Sequence, residues 1–298
     1  MPERTPVAVI GLGTMGLGAA RNLLAKGFAV TGCDPSEAAR ASFAGPSVNA
    51  AAAMPQGTQA VVVFVVNAAQ AEAALFGPNG CAARLAPGAV VIQCATIAPD
   101  AARALAERAE AAGFLFVDAP VSGGAKAASA GTMTIMASGS DAAFAKADAV
   151  LGAFATRIFK LAAEPGIGST VKMINQLLAG VHLAATGEAM ALAIRAGADP
   201  RTVYEVISGA AGASWMFNDR VPRLLEGDDT PKSAVNIFVK DLGIVLDAGR
   251  SLQFPLPMAS AAHQLFLAAA SAGYGARDDG FLARVWEKLG GITLPTKP

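Results

Sequence analysis

Between Val7 and Asp34 the chain reads VAVIGLGTMGLGAARNLLAKGFAVTGCD, and no other stretch limits its possible folds as tightly. Four apolar residues, Val7 to Ile10, run into Gly11, Leu12, Gly13, Thr14, Met15 and Gly16, and an amphipathic Ala/Leu-rich segment follows to Gly27. That order is strand, tight turn, helix. A second apolar run, Phe28 to Cys33, ends at Asp34, eighteen residues past Gly16, close to the ~20 at which an acid meets a nucleotide ribose. Gly11 serves the turn, Gly13 lets the backbone approach a pyrophosphate, and Gly16 allows close packing of helix on strand. Free N–H groups at the helix start attract the phosphates. In a chain with 32 glycines the triplet alone says little; flanking strands and the spaced acid turn it into a dinucleotide-binding unit, with Gly11 to Gly16 and Asp34 as cofactor residues.

Asp34 also selects the dinucleotide. A carboxylate accepts hydrogen bonds from a ribose 2′-OH and repels a 2′-phosphate, so NAD is favoured over NADP. Arg40, about one helical turn further on, is the residue that argues the other way. Asp34 fits equally as the N-cap of a segment from Pro35, and the two roles do not exclude each other.

A length of 298 residues gives a prior of two domains. We place a dinucleotide-binding domain at residues 1–164 and an all-helical substrate and dimerisation domain at 165–298, entered by a long interdomain helix. Lys plus Arg and Asp plus Glu are balanced at 23 each, with no cluster of either sign, which argues against nucleic acid or an acidic membrane surface as a partner. Cys33, Cys81 and Cys94 are widely spaced and form no C-x-x-C, so they read as reduced core thiols of a cytoplasmic protein. Residues 1–4 lead into a strand and not a signal segment, and no apolar run is expected to approach ~18 residues without a polar interruption. The abundant alanine suits closely packed helices, including across the subunit interface of a homodimer or homotetramer.

Past Asp34 a short helix is expected over 36–43, then a continuous apolar strand from Ala60 to Val66 that suits a parallel sheet covered on both faces. Asn67 follows at the strand tip, where ligands of doubly wound sheets collect; a plain turn residue is the alternative. The strand 89–93 delivers Thr96, Pro99 opens a helix to Ala112, and 114–117 is a further strand. Alternation of this kind defines a Rossmann-type α/β domain with a mostly parallel sheet. Strands at 131–138 and 157–161, with a helix from Asp141 between them, complete it.

The loop Asp118-Ala-Pro-Val-Ser122-Gly123-Gly124-Ala-Lys126 offers backbone N–H groups beside a hydroxyl, a cradle for a carboxylate. The plainer account is a glycine-rich turn whose serine caps the helix from Ala125. Ser169 to about Ala196 forms a long helix, with Gly197 just past its end. It is apolar nearly all round and therefore expected to be buried. Its polar residues are informative: Lys172 and Asn175 project about 60° apart on one face, with Gln176 at i+4 from Lys172. A buried lysine is costly unless paired or functional, and desolvation lowers a lysine's pKa toward the range in which it can accept an alcohol proton. Snorkelling or pairing with a carboxylate is the alternative. His182 and His263 have no partners in the sequence that suggest chemistry, and nothing has metal-ligand spacing.

Four ordered stretches, GLGTMG at 11–16, DAPVSGGAKAASAGTMTIMASG at 118–139, GIGSTVKMINQ at 166–176 and FVKDLG at 238–243, resemble the β-hydroxyacid dehydrogenases, the family that includes 3-hydroxyisobutyrate dehydrogenase. The resemblance spans essentially the whole chain. It implies that Lys172 is the general acid/base, that Ser122, Gly123 and Gly124 hold a substrate carboxylate, that Asn175 or Gln176 orients the substrate, and that Thr96 and Lys240 touch the cofactor. The family pattern has two asparagines after the lysine; Asn175-Gln176 keeps only the first, a departure that bears on the substrate and not on the chemistry.

Past Pro200 the sequence reads as helices at 201–208, 214–225, 234–252, 258–272 and 279–288. AAGASWMF at 210–217, TPKSAVNIFVKDLG at 230–243, FPLPMASAAHQLF at 254–266 and GYGARDDG at 273–280 resemble the branch of the family that oxidises a four-carbon sugar acid at C2 with NAD. Ser214, Trp215 and Phe238 are then cleft-lining residues, although core packing explains Trp215 and Phe238 equally well, and Lys240-Asp241 is also readable as a helix-surface ion pair. The function expected is NAD-dependent oxidation of a small hydroxy acid; from another class, the alternative is a non-catalytic NAD-binding regulator.

Overall fold

The computed structural model describes residues 5–228 and 230–296. The chain forms two compact units, one ending at Lys172 and the other beginning at Met173.

In the first unit, β1 (Pro6–Ile10), β2 (Ala29–Cys33), β3 (Ser47–Val48), β4 (Thr58–Val63), β5 (Leu85–Gln93) and β6 (Leu115–Asp118) are parallel and lie in the order β3-β2-β1-β4-β5-β6. This is the doubly wound dinucleotide-binding order, and it reverses between β1 and β4, where such sheets open a crevice at their carboxyl ends. Three more strands extend it: β7 (Val121–Ser122) and β8 (Met133–Ser138) pair antiparallel, Asp118 bridges antiparallel to Ser138, and β9 (Ala155–Ala162) runs parallel to β8. The helices are α1 (Thr14–Ala25), α2 (Glu37–Ala41), α3 (Ala68–Phe76), α4 (Pro99–Ala111), α5 (Gly124–Ala130) and α6 (Asp141–Phe154).

Side chains alternate along a strand, so each strand feeds two layers. Val7, Val9 and Val62 join Ala19, Leu23 and Leu151 on one face; Ala8, Ile10 and Val61 join Leu75, Ala102 and Leu105 on the other. Each fully buried valine or leucine contributes about 1.5–3 kcal/mol, which is why these strands read as unbroken apolar runs.

The sheet departs from the sequence reading at its margins. β4 stops at Val63, three residues short of the expected Val66, because Phe64 N makes the last ladder bond to Ile10 O at 2.7 Å and β1 turns away at Gly11. β3 and β7 were not foreseen; two residues carry no periodicity. α2 is shorter than expected, and its N-cap is Ser36, whose hydroxyl accepts from Ala39 N.

α7 (Ile167–Arg195) starts two residues earlier than Ser169, since its first N–H groups find acceptors far away in sequence. It is not buried all round, as its composition suggested. Ile167, Val171, Ile174 and Leu178 are exposed and repeat at spacings of four and three, with the exposed Leu192 two heptads further on, an a/d stripe along one side. By length and composition it also passes as a membrane span, but the polar Lys172, Asn175, Gln176 and Thr186 interrupt its apolar run. Its buried residues nonetheless include Lys172, Gln176 and Thr186.

The second unit packs α8 (Pro200–Ser208), α9 (Trp215–Leu225), α10 (Val235–Ser251), α11 (Pro257–Ala269) and α12 (Val285–Leu289) with the later turns of α7. α11 ends before the expected Ala272, in a wider turn closed by Gly273 at φ 92°. Residues 279–284 form a 3-10 turn ahead of the short α12. Asp278 and Asp279 anchor that turn: Arg220 donates Nε and Nη2 to Asp279 at 2.6 and 3.0 Å, and Arg223 Nη1 donates to Asp278 at 2.5 Å.

Candidate active site

The glycine turn is built as its sequence requires. Gly11 sits at φ +89°, and a Cβ there would lie 2.3 Å from the Phe64 carbonyl oxygen; a Cβ on Gly16 would lie 1.8 Å from the Gly11 carbonyl oxygen. Gly13 is different, because nothing lies within 4 Å of its Cβ position. Packing within the protein does not require a glycine there, and its bare backbone leaves room for a group to approach. Gly13 is also the N-cap of α1 with no side-chain cap bond, and the first turn holds no acid. The helix start therefore presents N–H groups and positive dipole to an anion, and Leu12, Thr14 and Met15 complete the turn. These residues fit a dinucleotide pyrophosphate.

Asp34 lies beside the turn. Its Oδ2 accepts from Leu12 N and its Oδ1 from Ser36 N, both at 2.8 Å, so it braces the glycine loop, and the N-cap role belongs to Ser36. Arg40 Nη1 is held by the carbonyl oxygens of Asp34 and Pro35, at 2.7 and 2.9 Å. Asn67 caps α3, its Oδ1 accepting from Gln70 N, while Gln70 Oε1 accepts from Val66 N. At the end of β5 the buried Gln93 side chain closes on both the N–H and the carbonyl of Ala95, fixing the turn that presents Thr96.

Asp118, at the end of β6, joins two parts of the candidate site. Its Oδ2 accepts from Gly166 N and Ser169 N at 3.0 and 2.8 Å, and its Oδ1 from Ser169 Oγ at 2.7 Å. Ser138 Oγ accepts from Gly168 N at 2.9 Å and lies 3.5 Å from Asp118 Oδ2. Burial holds the Asp118 carboxyl above its ordinary range, against the pull of these donors. The start of α7 is thereby capped by the strand that leads to Ser122, and Lys172, only 7% exposed, follows one turn later. Ser122 stands in β7 opposite Thr134. The N-cap of α5 is Gly123, without a side-chain cap bond, so the Ser122 hydroxyl is not spent as a helix cap. Gly123 and Gly124 both take positive φ, and a Cβ on Gly124 would meet nothing within 4 Å.

In the second unit, Gln176 Nε2 donates to Asp241 Oδ2 at 2.5 Å and Asn175 Nδ2 donates to Gln176 Oε1 at 3.0 Å. Lys240 Nζ lies 2.6 Å from Asp241 Oδ1. Asp241 is only 1% exposed, so this is not a surface ion pair. Phe238 is core, stacked on Phe266 at 5.0 Å; Trp215 is 61% exposed, and Ser214 caps α9. His182 is exposed and His263 bonds the Val239 carbonyl. Among the described residues no three His, Cys, Asp or Glu are grouped to hold a metal ion.

Two family descriptions divide the chain. Residues 6–162 match the NAD binding domain of 6-phosphogluconate dehydrogenase, and residues 166–286 match the NAD-binding domain of NADP-dependent 3-hydroxyisobutyrate dehydrogenase. The chain belongs to the 3-hydroxyisobutyrate dehydrogenase-like family. L-threonate dehydrogenase of Cupriavidus necator is 51% identical, with 98% of each chain covered, and that of Escherichia coli K12 is 48% identical, covering 97% of this chain and 96% of that one. A crystal structure titled 3-hydroxyisobutyrate dehydrogenase, from Salmonella typhimurium, superposes with a TM-score of 0.88 at 46% identity, over 94% of this chain and 99% of that one. The protein is thus a dehydrogenase that uses a nicotinamide dinucleotide. Sequence reasoning missed Asp118, Ser138, Ser169 and Asp241 as working residues. The available signal was an acid opening the motif at 118 and a second acid beside Lys240 in an otherwise apolar helix face.

Proposed function

We propose that the enzyme oxidises a small hydroxy acid, L-threonate, at C2 with NAD. The observation that carries this reading is the burial of Lys172 one turn into a helix whose start is pinned to the strand leading to Ser122. Relatives 46–51% identical over nearly the whole chain carry the name L-threonate dehydrogenase, which favours the four-carbon acid. The nicotinamide, when bound, accepts the hydride. The chain supplies the rest: the α1 start and Gly13 hold the pyrophosphate, Asp34 the ribose, and Asn67, Thr96 and Lys240 further contacts. Ser122 and the N–H groups at Gly123 and Gly124 hold the substrate carboxylate, Asn175 fixes a hydroxyl, and Lys172 takes the proton of the alcohol as the carbon is oxidised.

Asp34 supports NAD over NADP by repulsion of a 2′-phosphate, and Arg40 is turned onto backbone carbonyls beside it. 3-Hydroxyisobutyrate dehydrogenase and 2-hydroxy-3-oxopropionate (tartronate semialdehyde) reductase are the competing activities. A panel of C3 to C5 hydroxy acids assayed with NAD and NADP separates them: the highest kcat/KM should fall to L-threonate with NAD, and a preference for 3-hydroxyisobutyrate or for NADP would overturn the assignment. A homodimer or homotetramer would have a natural seat on the exposed a/d stripe of α7.

A further inference from the structure

The amide of Gln176 has both ends engaged within the protein. Asp241 can only accept when ionised, so Gln176 must turn its Nε2 toward it, and Oε1 is left to accept from Asn175 Nδ2. The polarity of two successive amides is thus dictated by one carboxylate that is 1% exposed. Asn175 keeps its carbonyl oxygen and one N–H of its amide for a ligand, and the bond to Gln176 fixes where that oxygen, an acceptor, stands. We propose that Asp241, acting through Gln176, is a positioning residue that fixes Asn175 as an acceptor for a substrate hydroxyl, so that the enzyme selects acids carrying a hydroxyl beyond the reacting carbon over their deoxy or methyl analogues. The inference rests on the reading of Asn175 as a substrate contact. Gln176 is then a specificity residue that never touches the substrate. Lys240 Nζ lies 2.6 Å from the other oxygen of the same carboxylate, so Asp241 is held from both sides.

The test is selectivity, which a purely structural role would not move. The ratio of kcat/KM for the best-oxidised polyhydroxy acid to that for its deoxy analogue is measured in the full-length enzyme and in Gln176→Leu, Asp241→Asn, Asp241→Leu and the double leucine variant. Gln176→Leu and Asp241→Leu should each lower the ratio about tenfold, because an unfixed amide no longer demands the hydroxyl. Asp241→Asn retains an oxygen for Gln176 and should keep the ratio within about twofold. The double variant should fall no further than either single, as expected of residues in one chain. If Asp241→Leu does not fold, the near-isosteric Gln176→Leu carries the test with Asp241→Asn. A wild-type ratio in Gln176→Leu, or additive losses in the double variant, overturns the inference while leaving the proposed activity in place. No oxidation of any hydroxy acid by the wild type overturns the activity, and this inference with it.

Discussion

Ser169 Oγ donates to Asp118 Oδ1 across 2.7 Å, and through that bond the first turn of α7 is fastened to the carboxyl end of β6. The residues are fifty-one apart in sequence, and their separate neighbourhoods supply Ser122 and Lys172. Asp118→Ala would leave Gly166 N and Ser169 N without an acceptor in a buried place and should cost about 2–4 kcal/mol. Asp118→Asn offers its carbonyl to the two N–H groups and its amide to the Ser169 hydroxyl, which can accept, so it should cost far less. Urea unfolding of the two variants gives the comparison, and equal losses would contradict the assigned geometry.

The same carboxyl gives a pH signature. Burial raises the folded-state pKa of Asp118 above the ordinary value of 3.8, so between that value and the raised one the native state holds the proton more tightly than the unfolded chain. Stability from this group is therefore highest below the ordinary value and falls as pH rises through the raised one. Asp118→Asn removes the titration and should flatten the pH dependence of unfolding in that window relative to wild type. An unchanged slope would mean that Asp118 does not carry it.

Gly168 closes the same junction by steric necessity. A Cβ there would lie 2.4 Å from the Met136 carbonyl oxygen and 2.7 Å from that of Asp118. Gly168→Ala should push the helix start off the sheet, lowering both Tm and kcat while NADH affinity, set by the glycine turn, changes little. Wild-type turnover in this variant would show that the junction does not position Lys172.

The three cysteines provide a check on the first unit. Burial pushes the Cys33 thiol up to about 11 and the Cys81 thiol up to about 12, and holds Cys94 well above the ordinary thiol range. Thiols so placed are protonated and enclosed. Ellman's reagent at pH 8 should find none of them in the native enzyme and all three after unfolding; rapid reaction of any one in the native state would contradict the packing.

The glycine turn, the parallel strands and the helical second half were legible because their signals are local: an apolar run, a glycine triplet, a proline at a helix start. The α7 start was misjudged by two residues because its caps, Asp118 and Ser138, come from strands 51 and 30 residues away. Its exposed stripe was hidden by composition, since Ile174 and Leu178 look no different in sequence from the buried Leu183. The resemblance names Asn175 or Gln176 as the residue that orients the substrate, and nothing near Gln176 in sequence announces its bond to Asp241, 65 positions on. Local chemistry names the candidate residues; long-range hydrogen bonds decide how their side chains are held.

The account depends most on Lys172. Steady-state oxidation of L-threonate by Lys172→Ala, alongside the Kd for NADH, measures it directly. Loss of a general base predicts a fall in kcat of about 10² to 10⁴ with NADH affinity nearly intact. Turnover equal to that of the wild type, with NADH bound normally, would remove Lys172 from the reaction and contradict the mechanism.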